Sequence, residues 1–268
     1  MMRGHRMDRR ERCVLVAAAL LLLAPVAPAE ETGVRDVEKA GVAVEPAPVN
    51  LMAVTSPARL SGAAVTATTW AGYDGANGVP SVAASVEARL FRRLALAVGV
   101  ESSSDEDGEL NLRPQVALRL QFLDQSSNGI DATASASYRQ DRFEVDGGFF
   151  QGTVALGRSF DRLQLVLNLT FGIDPEGDDL EGEVRAAGLV EVSPGIHLGV
   201  DGRYRHDLGS TDPNRAERDR PSAEALGGAT AAYVHGRWAV MLEAGLALVT
   251  TTTTRTGPVA LAGYSATF

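Results

Sequence analysis

Several things are scarce in this chain of 268 residues, and each scarcity removes a class of explanation. Lysine is almost missing: Lys39 is the single one, so positive charge rests on arginine, a bias that a GC-rich genome explains without any mechanism. Cys13 is the single cysteine. It precedes an apolar run instead of following one, so it is not a lipid-attachment cysteine, and alone it can build no disulfide framework. Aromatic residues make up 6% of the chain and histidines number four, which leaves few candidates for stacking surfaces or catalytic bases. After Val14–Ala24 no apolar run approaches the roughly 20 residues a membrane-spanning helix needs, so any membrane crossing must use strands. A formal charge of −9 argues against nucleic acid as a partner.

What is present begins with a leader. Arg3, Arg6, Arg9, Arg10 and Arg12 precede the short greasy run, and Ala27-Pro28-Ala29 follows it. A basic head, an apolar middle and a small-residue site describe a secretory signal peptide over residues 1–29. Its removal takes away five arginines and two acidic groups and leaves 20 basic against 32 acidic side chains, a charge of −12. Residues 30–61 are acidic at first and then rich in proline and alanine (Glu45-Pro46-Ala47-Pro48), a composition that opposes a stable helix. They read as a periplasmic tail or tether; the bolder reading is a plug entering the domain that follows.

From residue 62 to residue 268 the chain keeps a strand-and-turn cadence. Twelve segments are expected, at 62–73, 81–91, 94–103, 111–123, 130–139, 147–157, 163–173, 182–192, 196–206, 224–234, 238–249 and 258–268. Each is about the nine to eleven residues that cross a bilayer at a tilt. In residues 163–173, Leu163, Leu165, Leu167, Leu169, Phe171 and Ile173 share one face while Gln164, Asn168 and Thr170 take the other. Alternation alone also suits a soluble sandwich with its greasy face inward. The connections discriminate. After even-numbered segments they are short, as in Arg92-Arg93, Ser193-Pro194-Gly195 and His235-Gly236-Arg237; after odd-numbered ones most are longer and polar, as in Asp207–Ala223. That asymmetry, with an even strand count, belongs to barrels with short periplasmic turns and long extracellular loops. Trp70, Tyr73, Tyr138, Phe149, Phe171 and Tyr204 fall towards one rim and Phe91, Phe122, Phe160, Tyr233, Trp238 and Phe268 towards the other, as two interfacial belts would.

The last segment, PVALAGYSATF, alternates Ala260, Ala262, Tyr264 and Ala266 with polar or small neighbours and ends on Phe268. An uncovered edge of this kind would be sticky in water, and the obvious partner is the first strand. A final Phe268 with Tyr264 four places before it resembles the terminal signature of bacterial outer-membrane β-barrel proteins. The resemblance implies an all-β fold, a closed antiparallel transmembrane barrel of about 12 strands, in the bacterial outer membrane. It also implies outer-membrane lipid, lipopolysaccharide and the barrel-assembly machinery as partners, with Tyr264 and Phe268 as the insertion signature.

Charged residues on the polar faces are then expected to line the lumen: Glu87, Arg89, Glu101, Arg113, Arg119, Arg139, Glu183, Arg185, Asp201, Arg203, Arg205 and Glu243. Charges there are tolerable only beside water or opposite charges. Hairpin pairing would bring Glu183 and Arg185 near Arg203 and Arg205, and Glu101 near Arg113. An arginine-rich ring could favour anions, which makes the expected function a small passive channel, porin-like, for small polar or anionic solutes. The alternatives are a closed barrel serving structure or adhesion, and a lipid hydrolase using His206 in His206-Asp207-Leu208-Gly209-Ser210. That last spacing lacks a compact catalytic pattern. The acidic runs Asp105–Glu109 and Asp174–Asp179 match no EF-hand spacing. No cofactor or metal centre is implied. The Thr250–Thr254 run is expected to extend the final hairpin beyond the bilayer.

Overall fold

The computed structural model describes residues 60, 63–76, 78–104, 110–140, 148–173, 179–210, 223–250 and 253–268. The expected leader, nearly all of the 30–61 segment, the acidic runs of two long loops and Thr251–Thr252 lie outside these residues.

Twelve antiparallel strands form one closed barrel in which each strand pairs with its sequence neighbours. They are β1 (Val65–Asp74), β2 (Val79–Phe91), β3 (Leu94–Ser104), β4 (Leu110–Leu123), β5 (Asp131–Gln140), β6 (Gly148–Phe160), β7 (Leu163–Ile173), β8 (Asp179–Ser193), β9 (Ile196–Ser210), β10 (Ala223–His235), β11 (Trp238–Thr250) and β12 (Thr254–Thr267). All twelve expected segments are strands, with ends displaced by a few residues. Thr250 pairs with Thr254, so the threonine run does extend the last hairpin.

Closure is made by β1 and β12, in register from Thr66↔Thr267 to Asp74↔Val259. The Ala64 N–H donates to the Phe268 carbonyl at 3.1 Å, and the Phe268 N–H donates to the Val65 carbonyl at 2.8 Å. No ladder edge is left open, the physical requirement for a sheet in lipid.

The two faces of the sheet differ in kind. Leu118, Leu120, Leu165 and Leu169 are between 43% and 47% exposed on the outer face, among many apolar side chains placed alike. The buried polar residues, among them Thr66, Gln121, Thr133, Asn168, Glu183, Asp201, Thr230 and Glu243, all take the opposite alternation and point inward. A water-soluble domain buries its apolar face; here the apolar face is the outer one, and only lipid makes that stable.

Short turns close one rim. Asp161, at φ 46°, and Gly195, at φ 74°, adopt left-handed conformations in the β6–β7 and β8–β9 turns. The connection between β4 and β5 is not a bare loop: α1 (Gln125–Asn128) forms one turn of helix there. Asp124 caps it through Oδ1, accepting from the Ser126 N–H at 2.9 Å. Gln125 grips Ser159 on β6 through two hydrogen bonds, of 2.7 and 2.8 Å. At this rim Leu60 is buried, and its N–H donates to Gln121 Oε1 at 3.3 Å.

The aromatic belts need a correction. Tyr73, Phe171, Tyr204, Phe91, Phe160, Tyr233 and Phe268 are exposed on the outside. Trp70 shares the inward alternation of Thr66 and Thr68, and Phe149 is buried inside opposite Arg139. Neither belongs to a belt; the side a residue takes depends on its parity within the ladder, not on its nearness to a rim.

Candidate functional site

The barrel interior collects the inward residues of all twelve strands, and register decides which of them meet. The twelve charged residues singled out in the sequence all occupy inward positions: Glu87 and Arg89 on β2, Glu101 on β3, Arg113 and Arg119 on β4, Arg139 on β5, Glu183 and Arg185 on β8, Asp201, Arg203 and Arg205 on β9, and Glu243 on β11. They do not form one ring. The interior has two unlike halves.

The half built by β2–β7 is polar and partly accessible. Glu101 lies directly opposite Arg113. Arg119 forms an ion pair with Glu87 across β3. The intervening strand allows this because its inward positions there are Ala95, Ala97 and Gly99, too small to separate the two arms. Gln115 is exposed, and Ser135, Ser137 and Gln151 are half-buried. Thr153 and Thr170 share a hydrogen bond of 2.9 Å between their hydroxyls. Arg139 makes no hydrogen bond or ion pair among the described residues, and its neighbours in register are Gln115 and Phe149.

The half built by β8–β12 is packed. Ala187, Leu189, Ala232 and Met241 form one buried apolar cluster; Ala247, Val249, Val259 and Leu261 form another, joined by Ala76 from the β1–β2 turn. Towards the long-loop end the charges of this half are tied together. Arg203 reaches Glu224 at 2.8 Å and Glu183 at 3.8 Å, Arg205 reaches Glu224 at 3.6 Å and Glu181 at 3.7 Å, and Arg185 pairs with Glu183. The hairpin pairing expected of Glu183 and Arg185 with Arg203 and Arg205 is the one observed. Glu224 and Glu181, which complete the network, were not singled out in the sequence. Glu224 stood at the first position of an expected strand, and Glu181 stood one residue before another.

His206 points outward, its ring stacked 6.2 Å from that of Tyr204 at an interplanar angle of 11°. Asp207 is the next residue along β9 and pairs in register with Glu181, on the inward side. Successive residues of a strand face opposite ways, so His206 and Asp207 cannot act on one proton.

No protein-family model matches this chain, and no curated protein matches it in sequence. Among solved structures it is similar to the NanC porin, with a TM-score of 0.53 at 10% identity over 75% of this chain and 100% of that one. It is also similar to the COG4313 outer membrane channel from Pseudomonas putida F1, with a TM-score of 0.52 at 11% identity over 78% and 97%. A third is the KdgM porin in complex with disordered oligogalacturonate, with a TM-score of 0.53 at 10% identity over 76% and 99%. At these identities the likeness is one of fold: a closed 12-strand antiparallel barrel of the outer-membrane type.

Proposed function

We propose that this protein is a passive channel of the bacterial outer membrane, carrying small polar solutes with a preference for anions along the inner face of β2–β7. It reaches that membrane after a signal peptide, residues 1–29, directs its export, and is inserted there by the barrel-assembly machinery, which reads Tyr264 and Phe268. Residues 30–61 stay in the periplasm as a tether.

The observation that carries this reading is the contrast of packing within the lumen. β8–β12 fill their side with Met241, Leu189, Val259 and Leu261, while β2–β7 present Gln115, Ser135, Ser137, Gln151 and arginines that remain partly accessible. A strip of hydroxyls, amides and guanidinium groups replaces part of a solute's hydration shell without holding it tightly, which is what diffusion through a narrow lumen requires. Among the basic groups, Arg119, Arg185, Arg203 and Arg205 are matched by glutamates, so Arg139, which makes no ion pair among the described residues, is left to set charge preference. The KdgM porin, one of the structural neighbours, has been captured with an oligogalacturonate, whose sugar units carry carboxylates.

Planar-bilayer recording tests this. The purified protein is expected to pass current, with a reversal potential in a salt gradient that reports anion preference, and Arg139→Glu is expected to move that potential towards cations. A protein that inserts yet carries no current removes the channel; an unmoved potential removes Arg139 from its role.

A further inference from the structure

Two carboxylates in the packed half form no ion pair among the described residues. On the inner face of β8–β11 the arginines are Arg185, Arg203 and Arg205, and they are met by Glu181, Glu183 and Glu224. Asp201 and Glu243 remain. Both are more than nine-tenths buried. They face each other diagonally across β10, because Asp201 is opposite Gly228 and Glu243 is opposite Thr230, and Gly228 and Gly245 bring no side chain between them. Thr230, 3% exposed, lies directly opposite Glu243 and two residues along β10 from Gly228, the register partner of Asp201. Among the described residues, neither oxygen of Asp201, neither oxygen of Glu243, nor the Thr230 hydroxyl has a hydrogen-bond partner.

Around this group the wall is apolar, formed by Ala187, Ala232, Met241 and Leu261. Arg203 is two residues along β9 but already engaged by Glu224 and Glu183, and the inward His197 is four residues the other way, roughly 13 Å along the strand. Two ionised carboxyls in an apolar setting repel each other and have lost their hydration, so the pair needs either a proton or a cation between them. A shared proton would serve two of the five oxygens; a metal ion would serve all five.

We propose that Asp201, Glu243 and Thr230 form a binding site for a hard divalent cation of the calcium class. Calcium accepts six to eight oxygen ligands in irregular geometry, and two bidentate carboxylates with one hydroxyl supply most of such a shell, water the rest. A divalent ion also restores electroneutrality to the packed half. The bound ion ties β9, β10 and β11 together at mid-height of the barrel, in the half that is filled and not in the solute path. The site thus stands whether or not the channel reading does.

The test uses the full chain folded in detergent, stripped with chelator and titrated with Ca2+ while binding is followed by calorimetry and stability by heat-modifiable migration. The wild type is expected to bind about one Ca2+ per chain tightly, beyond any weak uptake by the acidic loops, and to unfold at higher temperature when loaded. The double variant Asp201→Asn, Glu243→Gln is expected to lose the tight equivalent and the thermal shift together. Should that variant not fold, Thr230→Val, which changes no charge, is expected to weaken Ca2+ binding roughly tenfold with migration unchanged. A wild type with no tight equivalent, or variants that bind Ca2+ as the wild type does, overturns the proposal. So does stabilisation that follows falling pH and is indifferent to Ca2+, the signature of a shared proton.

Discussion

The β2–β7 and β8–β12 halves face one another across the same lumen, obey the same inward and outward alternation, and yet are built on different physics. In the first, Gln115, Ser135, Ser137 and Gln151 are spaced by alanine and glycine and stay at least partly exposed. In the second, apolar side chains touch each other and the arginines are cancelled within a few ångströms by glutamates on adjacent strands. The interior of this barrel is therefore not one environment. A position that points inward belongs to a partly exposed strip or to a packed core according to what its cross-strand neighbours are, and an arginine is placed differently in the two.

The sharpest way to break this comparison is to delete one arginine from each half. Arg203→Ala leaves Glu183 with Arg185 alone and Glu224 with Arg205 alone in a buried network, and is expected to cost about 3 kcal/mol, read from urea unfolding of the folded band. Arg139→Ala removes no such partner and is expected to stay within about 0.5 kcal/mol. Equal losses would mean the halves are not distinct. A smaller contrast separates Met241→Ala, expected to cost about 2–3 kcal/mol through the cavity it leaves, from Gln115→Ala, expected to leave unfolding unmoved. Least in energy but most direct for transport is Ser137→Trp, which places bulk on the accessible face. Single-channel conductance should roughly halve with the fold intact, and an unchanged conductance would place the path elsewhere.

Much of the architecture was legible because a barrel repeats one simple rule. Twelve alternating segments, short connections after even ones and an aromatic ending sufficed for strand number, pairing order and closure. Adjacent hairpins were legible for the same reason: Glu183 opposite Arg205 and Glu101 opposite Arg113 follow once the turns are fixed. What was not legible depends on two ladders at once. That Asp201 and Glu243 meet requires the registers of β9 with β10 and of β10 with β11 together. That Glu224 neutralises both Arg203 and Arg205 requires knowing which way the first residues of β10 face. The packed half was hidden too, since alanines such as Ala187, Ala232 and Ala247 carry no periodic signal and acquire a role only from Leu189, Met241 and Val249 nearby. Trp70 and Phe149 show the cost of reading position along a strand before parity.

The seam between β1 and β12 has a consequence for how the molecule comes into being. Its paired residues, Thr66 with Thr267 at one end and Asp74 with Val259 at the other, are separated by nearly the whole length of the domain, so the ring cannot be sealed while β12 is still missing. Until then two raw borders and a greasy outer skin stand open to every other unfinished copy. Such contacts between distant parts of a chain assemble slowly. The charged interior therefore comes into existence only at the moment the circle shuts.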